Sequence, residues 1–194
     1  MAPTVLDPGS ALIVIDLQVG VVAVPVVHPI DDVIQRTAEL ADAFRRHSLP
    51  VVLVNVAGRP PGRTESSPAP AQSPGGSARF ADGWTELVPA LNQQPSDHLV
   101  TKMSAGAFTN TGLDSYLKSR GVTQVVIVGV ATSSGVESTA RQAYENGFNV
   151  TLAVDAMTDR SLDAHVHSVT RLFPLIAETG STAEVLKLLS QALP

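Results

Sequence analysis

Two ionisable residues sit at the ends of apolar runs, where they could act together as an acid and a cation. Asp16 follows the run over residues 11–15, and Lys102 comes shortly after the run over residues 98–100. Short runs rich in β-branched residues are typical of strands buried on both faces of a parallel sheet. Because ligands bind beyond the carboxyl ends of such strands, we expect Asp16 and Lys102 to share one crevice.

A third segment with chemical potential, residues 129–141, closes an apolar run and opens a helical pattern. Enzymes of the α/β class display nucleophiles at such turns. The turn contains Ser133, Ser134 and Gly135, and the chain has no cysteine. A thiol nucleophile, a disulfide framework and thiolate-ligated metal sites are therefore excluded. The two serines could act as nucleophiles or cap the following helix, and capping is the commoner role for such hydroxyls.

Each charged residue also has an ordinary structural explanation when it is taken alone. Asp16 could cap a helix or a turn, and Lys102 could be a solvated surface lysine. A lysine that accompanies a carboxylate into a crevice is instead typical of a functional site. The pair therefore favours a shared site over two unrelated surface residues.

Alternating strand and helix patterns must position these residues. Strands are predicted at residues 11–15, 51–54, 98–100, 125–128, 150–154 and 175–177, and helices at 31–47, 111–120, 135–146, 163–173 and 182–189. Gly121 and Gly147 each follow a helical pattern, as C-terminal caps do. The alternation predicts an α/β fold with a doubly wound parallel sheet and right-handed crossovers.

Residues 57–84 interrupt this alternation with a segment rich in proline, glycine and serine. A loop of this length in a compact domain is usually either disordered or a lid over a site. Arg63, Arg79, Phe80 and Trp84 favour the lid, since cations and aromatic rings can close over a substrate.

Composition limits the classes of partner. The 194 residues, 44% of them hydrophobic, suit one domain over residues 1–194 with its own core. A net charge of −5 without a basic cluster argues against nucleic acid or an anionic membrane as partner, although a local pocket could still bind a small anion. No leader-like or membrane-spanning run is visible, so a cytoplasmic location is expected.

These motifs resemble the isochorismatase-like (cysteine hydrolase) family over nearly the whole chain. The resemblance rests on Asp16 in Ile15-Asp16-Leu17-Gln18, on Lys102, and on the turn that ends at Gly135. It implies a three-layer α/β/α fold with a six-stranded parallel sheet of order 3-2-1-4-5-6, a cis peptide bond between Val130 and Ala131, and a catalytic site at Asp16, Lys102 and Gly135. The substrate contacts that it implies are Gln18, Phe108, Val130, Ala131 and Ser134, and the lid-like segment adds Arg79 and Trp84.

Gly135 stands where the amidases of that family carry the attacking cysteine. The isochorismatases proper also have glycine there and cleave a vinyl ether without an enzyme nucleophile. The resemblance therefore implies a hydrolase of a small molecule, preferably by acid-catalysed hydrolysis of an enol ether of isochorismate type. The alternatives are a catalytically retired binding homologue and a serine-dependent amide hydrolase. Met103, Ala105 and Ala131 replace aromatic residues of the isochorismatases, so the pocket should differ in shape.

The same resemblance bears on metals, cofactors and assembly. Nicotinamidases of the family bind a metal through an Asp-x-His pair, and the matching region here is Asn55-Val56-Ala57-Gly58, so neither metal nor cofactor is predicted. His165 and His167 lie two residues apart, which places them on different helix faces and favours surface positions over a ligand pair. The family also implies a homo-oligomer, either a dimer or a tetramer.

Overall fold

A single parallel sheet forms the centre of the molecule in a computed structural model that describes residues 3–60, 62–65 and 80–192. All neighbouring strands are parallel, and their order is β3-β2-β1-β4-β5-β6. The predicted sheet and strand order are therefore confirmed. The strands are β1 (Ser10–Ile15), β2 (Val51–Val56), β3 (His98–Lys102), β4 (Gln124–Val130), β5 (Asn149–Thr158) and β6 (Glu178–Gly180).

Helices cover both faces of this sheet. They are α1 (Val19–Val22), α2 (Ile30–Arg46), α3 (Leu113–Ser119), α4 (Glu137–Glu145), α5 (Leu162–His167) and α6 (Thr182–Ala192). The short α1 was not predicted, because four residues are too few to show a helical period. Among the described residues, no helix combines the length and the apolar character that crossing a bilayer requires.

The sheet divides the core into two apolar layers, and β1 contributes to both. Leu12 and Val14 pack into the layer that holds α2 and α6, whereas Ile13 and Ile15 pack into the layer that holds α3 and α4. Successive side chains of a strand point to opposite faces, so an unbroken apolar run is what a central strand requires. This confirms the three-layer α/β/α architecture.

The last strand was predicted three residues too early, at residues 175–177. Residues 173–175 instead form a 3₁₀ turn with Pro174 inside it, and Leu175 is 76% exposed. The apolar residues after Pro174 were misread as a strand. The chain turns there instead, because proline has no N–H to donate to a neighbouring strand. The observed β6 is short, lies at the sheet edge and pairs with β5 from Glu178 to Gly180.

The helical segments beside the site also differ from their predicted bounds. A π-helical turn over Thr132–Val136 precedes α4, so the helical backbone begins three residues before Gly135. The helix predicted over residues 163–173 ends as an α-helix at His167 and continues as a π-helical turn over Ser168–Leu172. Gly121 and Gly147 adopt positive φ angles of 70° and 88°, which confirms their predicted capping roles.

Candidate active site

Asp16 and Lys102 meet at the carboxyl edge of the sheet. Asp16 directly follows β1 with a positive φ of 51°, and Lys102 is the last residue of β3. The Lys102 Nζ lies 2.7 Å from Asp16 Oδ2 and donates a second hydrogen bond to the carbonyl oxygen of Ser104 at 3.2 Å. Both side chains are almost fully buried, with 8% of the Asp16 side chain and 2% of the Lys102 side chain exposed. The structure therefore brings the predicted acid and cation into direct contact.

Lys102 bonds only one of the two carboxylate oxygens of Asp16. Asp16 Oδ1 is buried and has no hydrogen-bond partner among the described residues. Burial raises the pKa of Asp16 to about 6, although the charge of Lys102 and its hydrogen bond act in the opposite direction. Loss of hydration is the larger effect because it penalises the charged carboxylate. A carboxyl group with a pKa near neutrality can serve as a general acid or base.

Gly135 lies beside this carboxyl group in the π-helical turn after β4. A Cβ built on Gly135 would lie 3.2 Å from Asp16 Oδ2, 2.8 Å from Ile15 Cγ2 and 3.3 Å from the Val130 carbonyl oxygen. The peptide bond between Val130 and Ala131 is cis, as the resemblance implied. The position that a side chain at residue 135 would occupy is therefore adjacent to the Asp16–Lys102 pair.

These elements surround a cavity of about 320 Å³ at the sheet edge. Its walls come from the ends of β1, β4 and β5, from the π-helical turn and from the segment that follows α1. A cavity of this volume lies at the small end of the range for ligand sites. The residues that line it are Asp16, Val21, Val26, Val130, Ala131, Ser133, Ser134, Gly135, Asp159 and Arg160.

Asp159 is a cavity residue that the sequence analysis missed. Its Oδ2 accepts a hydrogen bond from the Ser133 N–H at 2.7 Å, and its Oδ1 accepts from the N–H groups of Arg160 at 2.7 Å and Ser161 at 3.2 Å. Burial alone would raise the pKa of Asp159, but these hydrogen bonds outweigh burial and lower it. The predicted strand ended at residue 154, so this acid did not register as a strand-end residue, although β5 continues to Thr158.

One cavity wall is held to the end of β5 by hydrogen bonds that its backbone N–H groups donate. The Val27 N–H donates to the carbonyl oxygen of Asp159 at 2.8 Å, and the His28 N–H donates to Thr158 Oγ1 at 3.1 Å. These bonds fix the segment that carries Val26 into the cavity. The apolar side of the site is therefore positioned by the same strand end that carries Asp159.

His165 is buried behind the turn, and its predicted surface position was wrong. Only 9% of the residue is exposed, and its Nδ1 lies 2.9 Å from Thr132 Oγ1, which also bonds the Thr158 carbonyl oxygen. Burial lowers the pKa of His165, and the neighbouring His28 lowers it further, while Asp159 acts in the opposite direction. Both histidines lie in α5, and their spacing places them on different faces without indicating which face packs inward.

Three of the other predicted substrate contacts, Gln18, Trp84 and Phe108, do not line the cavity. Gln18 is buried and its amide bonds backbone, with Oε1 accepting from the Val56 N–H at 2.7 Å and Nε2 donating to the carbonyl oxygens of Val56 and Trp84. The Trp84 indole packs over Gly20, where it occupies the space of a Cβ, and stacks on Phe80 with a centroid separation of 3.9 Å. Gln18 thus connects the end of β2 to the last residues of the predicted lid.

Phe108 and Arg79 were also predicted to contact the substrate. Phe108 packs against the core layer of α3 and α4, with its ring centroid 6.0 Å from that of Phe148. Arg79 and most of the predicted lid over residues 57–84 lie outside the described residues.

A larger groove of about 460 Å³ lies elsewhere, beside β2 and β3, but it offers less chemistry. Its lining includes Asn55, whose Nδ2 donates to the Thr85 carbonyl oxygen, together with Leu53 and Leu99. Glu86 is its one ionisable lining residue among those described. The smaller cavity is lined by a strand-to-helix turn and by a buried carboxyl group that pairs with Lys102, so it is the candidate active site.

Comparison with known proteins agrees with this geometry. Residues 10–184 match the family model described as the isochorismatase domain. The chain is 36% identical over 181 residues to the uncharacterized isochorismatase family protein YwoC of Bacillus subtilis, covering 92% of this chain and 93% of YwoC. A solved isochorismatase family protein from Burkholderia thailandensis superposes with a TM-score of 0.86 at 41% identity, covering 98% of this chain and all of its own.

A functionally named relative matches a shorter part of the chain. The ureidoacrylate amidohydrolase RutB of Agrobacterium fabrum is 35% identical over 112 residues, which cover 56% of this chain and 48% of RutB. The full-length matches extend over all six strands and the residues of the cavity. The chain therefore belongs to the isochorismatase family of hydrolases.

Proposed function

We propose that this hydrolase cleaves an enol (vinyl) ether of a small molecule by acid catalysis, without a nucleophile from the protein. The observation that carries the proposal is the Asp16 carboxyl group, which lines the cavity with a buried Oδ1 that lacks a partner. A pKa raised to about 6 leaves a usable protonated fraction near neutral pH. Gly135 has no side chain that could attack a substrate.

The proposed reaction uses these groups in sequence. Asp16 donates its proton to the terminal vinyl carbon, and the adjacent ether-bearing carbon becomes an oxocarbenium ion. Water adds to that carbon and returns a proton to Asp16. The resulting hemiketal breaks its carbon–oxygen bond to release an alcohol and a ketone. Lys102, 2.7 Å from Asp16 Oδ2, stabilises the carboxylate that exists between the two proton transfers.

Gly135 supports this route by leaving room next to the acid. A side chain there would begin 3.2 Å from Asp16 Oδ2, in the space through which substrate or water approaches the carboxyl group. We propose that this is the position of the family nucleophile and that Gly135 replaces it. Ser134, Val130 and Ala131, which line the same cavity, are proposed to contact the substrate. Gln18, Phe108 and Trp84 are proposed to shape the site from its periphery, and Arg79 is proposed to contact the substrate.

A serine-dependent amide hydrolase is the second candidate, and similarity to RutB favours it. Neither serine of the turn makes a hydrogen bond to Asp16 or Lys102 in the described part of the chain. Ser133 instead bonds Asp159, whose pKa is lowered, and an acid with a low pKa is a weak base. A serine nucleophile would leave a covalent adduct on Ser133 or Ser134, which mass spectrometry would detect. The third alternative, a retired binding homologue, would show no turnover.

The test is the pH dependence of turnover on a panel of enolpyruvyl ethers. Because the acid must be protonated, kcat should rise as the pH falls through about 6, the pKa of Asp16. Asp16→Asn should lower kcat about 100-fold or more, the usual contribution of a general acid. Asp114→Asn is the matched control, since Asp114 also pairs with a lysine, Lys118, but at the exposed surface. A rate that falls with acidity, or an active Asp16→Asn variant, would contradict the proposal.

The remaining expectations accompany this function as proposals. We propose that the enzyme works without a metal or cofactor, in the cytoplasm, as a homo-oligomer. The edge strand β3 supports the last point, because Leu99 is 53% exposed and Met103 just beyond it is 39% exposed. Apolar side chains at a sheet edge are typical of surfaces that another chain covers.

A further inference from the structure

We propose that Arg160 selects substrates that carry a carboxylate group; this assignment rests on the proposed function and narrows its substrate class. Arg160 lines the cavity that contains Asp16, and it is exposed. Its guanidinium makes no hydrogen bond or ion pair with any residue that the structure describes. An arginine at the cavity wall therefore has its side-chain donors available for a ligand.

The other charges of the site are already balanced within the protein. Lys102 is buried and bonds Asp16 and Ser104, so its ammonium is not free for a substrate. Both oxygens of Asp159 accept backbone N–H groups, three in all, which offset its negative charge. Arg160 is thus the one charged side chain in the described cavity lining without a compensating group. Arg160 therefore places a positive charge at the cavity wall with no paired side chain among the described residues, although the whole chain has a net charge of −5.

The chemistry of the guanidinium identifies the ligand group. Its planar fork of N–H donors matches the two oxygens of a carboxylate, which it binds through two parallel hydrogen bonds. An apolar part of the lining comes from Val21, Val26 and Val130. A small carboxylic acid would place its carboxylate on Arg160, its carbon skeleton against the valines and its reactive bond near Asp16. The inferred substrates are therefore small anionic molecules rather than neutral ones.

Direct binding tests this assignment without any turnover. Benzoate and benzamide have similar shapes but differ in charge, and each would be titrated into the unmodified chain and into Arg160→Gln by NMR. The unmodified chain should prefer benzoate. Arg160→Gln should weaken benzoate binding about tenfold, as expected from the loss of a hydrogen bond to a charged group, and should leave benzamide binding nearly unchanged. Arg171→Gln, which removes an exposed arginine that does not line the cavity, should alter neither.

A second measurement reports on the position of the anion. Gly135→Cys would place a thiol beside Asp16, and this thiol would be alkylated by iodoacetate, an anion, or by the neutral iodoacetamide. The ratio of the iodoacetate rate to the iodoacetamide rate should exceed that of a free thiol in solution. This preference should be lost in the double variant with Arg160→Gln and kept in the double variant with Arg171→Gln.

The possible results separate this inference from the proposed function. No preference for benzoate in the unmodified chain, including no binding of either compound, would overturn the role of Arg160. Equal benzoate affinity with and without Arg160 would overturn it as well. Carboxylate binding that depends on Arg160, together with no hydrolysis of any vinyl ether, would retain the anion site and reject the proposed reaction.

Discussion

At the scale of single residues, Gly135 shows how packing can reverse an expectation from helix propensity. Alanine is more favourable than glycine by about 1 kcal/mol in a helix, so propensity alone predicts no loss of stability for Gly135→Ala. In the fold, however, a Cβ at residue 135 would lie 2.8 Å from Ile15 Cγ2. Ile15 is fully buried and belongs to a central strand, so it has little freedom to move.

We therefore expect Gly135→Ala to destabilise the protein. Crowding a packed core costs about 1–3 kcal/mol, which exceeds the gain in helix propensity. The measurement is the free energy of unfolding from urea denaturation. Ile15→Ala serves as the matched background, because it removes the crowded methyl group. Adding Gly135→Ala to that background should cost little, and a single variant as stable as the unmodified chain would show that Ile15 adjusts freely.

At the scale of elements, the turn between β4 and α4 is held by the end of β5. Asp159 accepts the Ser133 N–H at 2.7 Å, and Thr132 bonds the Thr158 carbonyl oxygen at 3.1 Å. The N–H groups at the start of a helix lack partners within the helix, so an acceptor from another strand satisfies one of them. The position of the turn therefore depends on a residue distant in sequence.

This connection predicts a pH-dependent effect of Asp159→Asn. At pH 7 the variant should lose about 1–3 kcal/mol of stability, because an asparagine amide cannot reproduce a carboxylate that accepts from three N–H groups. The pKa of Asp159 is lowered in the fold, so its stabilising contribution is present above its ordinary pKa and is lost as the pH falls through the folded value.

Urea denaturation across a pH series checks this prediction. The difference in stability between the unmodified chain and Asp159→Asn should begin to narrow as the pH falls below about 4, near the ordinary aspartate pKa, and should vanish only below the lowered pKa of the folded state. Asp163→Asn is the control, because Asp163 lies in the first turn of α5 and is exposed. A difference between the unmodified chain and Asp159→Asn that does not change with pH would exclude the carboxylate as the stabilising group.

At the scale of the whole molecule, the two edges of the sheet differ in character. The edge at β6 is short and polar, whereas the edge at β3 exposes Leu99, with Met103 just after it. Exposed strand edges with apolar side chains tend to pair with another chain, and closed two-fold dimers are the commonest arrangement.

We expect the protein to form a symmetric oligomer in solution. Light scattering at micromolar concentration should give a mass that is a multiple of 20.3 kDa, and Leu99→Lys should shift it toward the monomer. Leu175→Lys is the control, since Leu175 is also exposed but lies near the opposite edge. A mass of 20.3 kDa alone for the unmodified chain would count against assembly.

The sequence by itself determined the architecture and the central pair of the candidate site. Strands buried on both faces need unbroken apolar runs, so β1, β2 and β4 followed from local patterns. Parallel strands present their carboxyl ends at one edge of the sheet, so the meeting of Asp16 with Lys102 followed as well. The absence of a side chain at Gly135 was equally visible. The family match confirms the class of fold and of enzyme.

Only the tertiary structure decided which contacts surround the central pair of the candidate site. Asp159 lies beyond an irregular stretch in the pairing of β4 with β5, and no local period signals how far such a strand continues. The amide of Gln18 bonds two distant backbone segments, and His165 packs behind the turn. These roles depend on contacts between residues far apart in sequence. The physical reason is that periodicity reports which side of an element is apolar, whereas hydrogen-bond partners are fixed only when separate elements pack together.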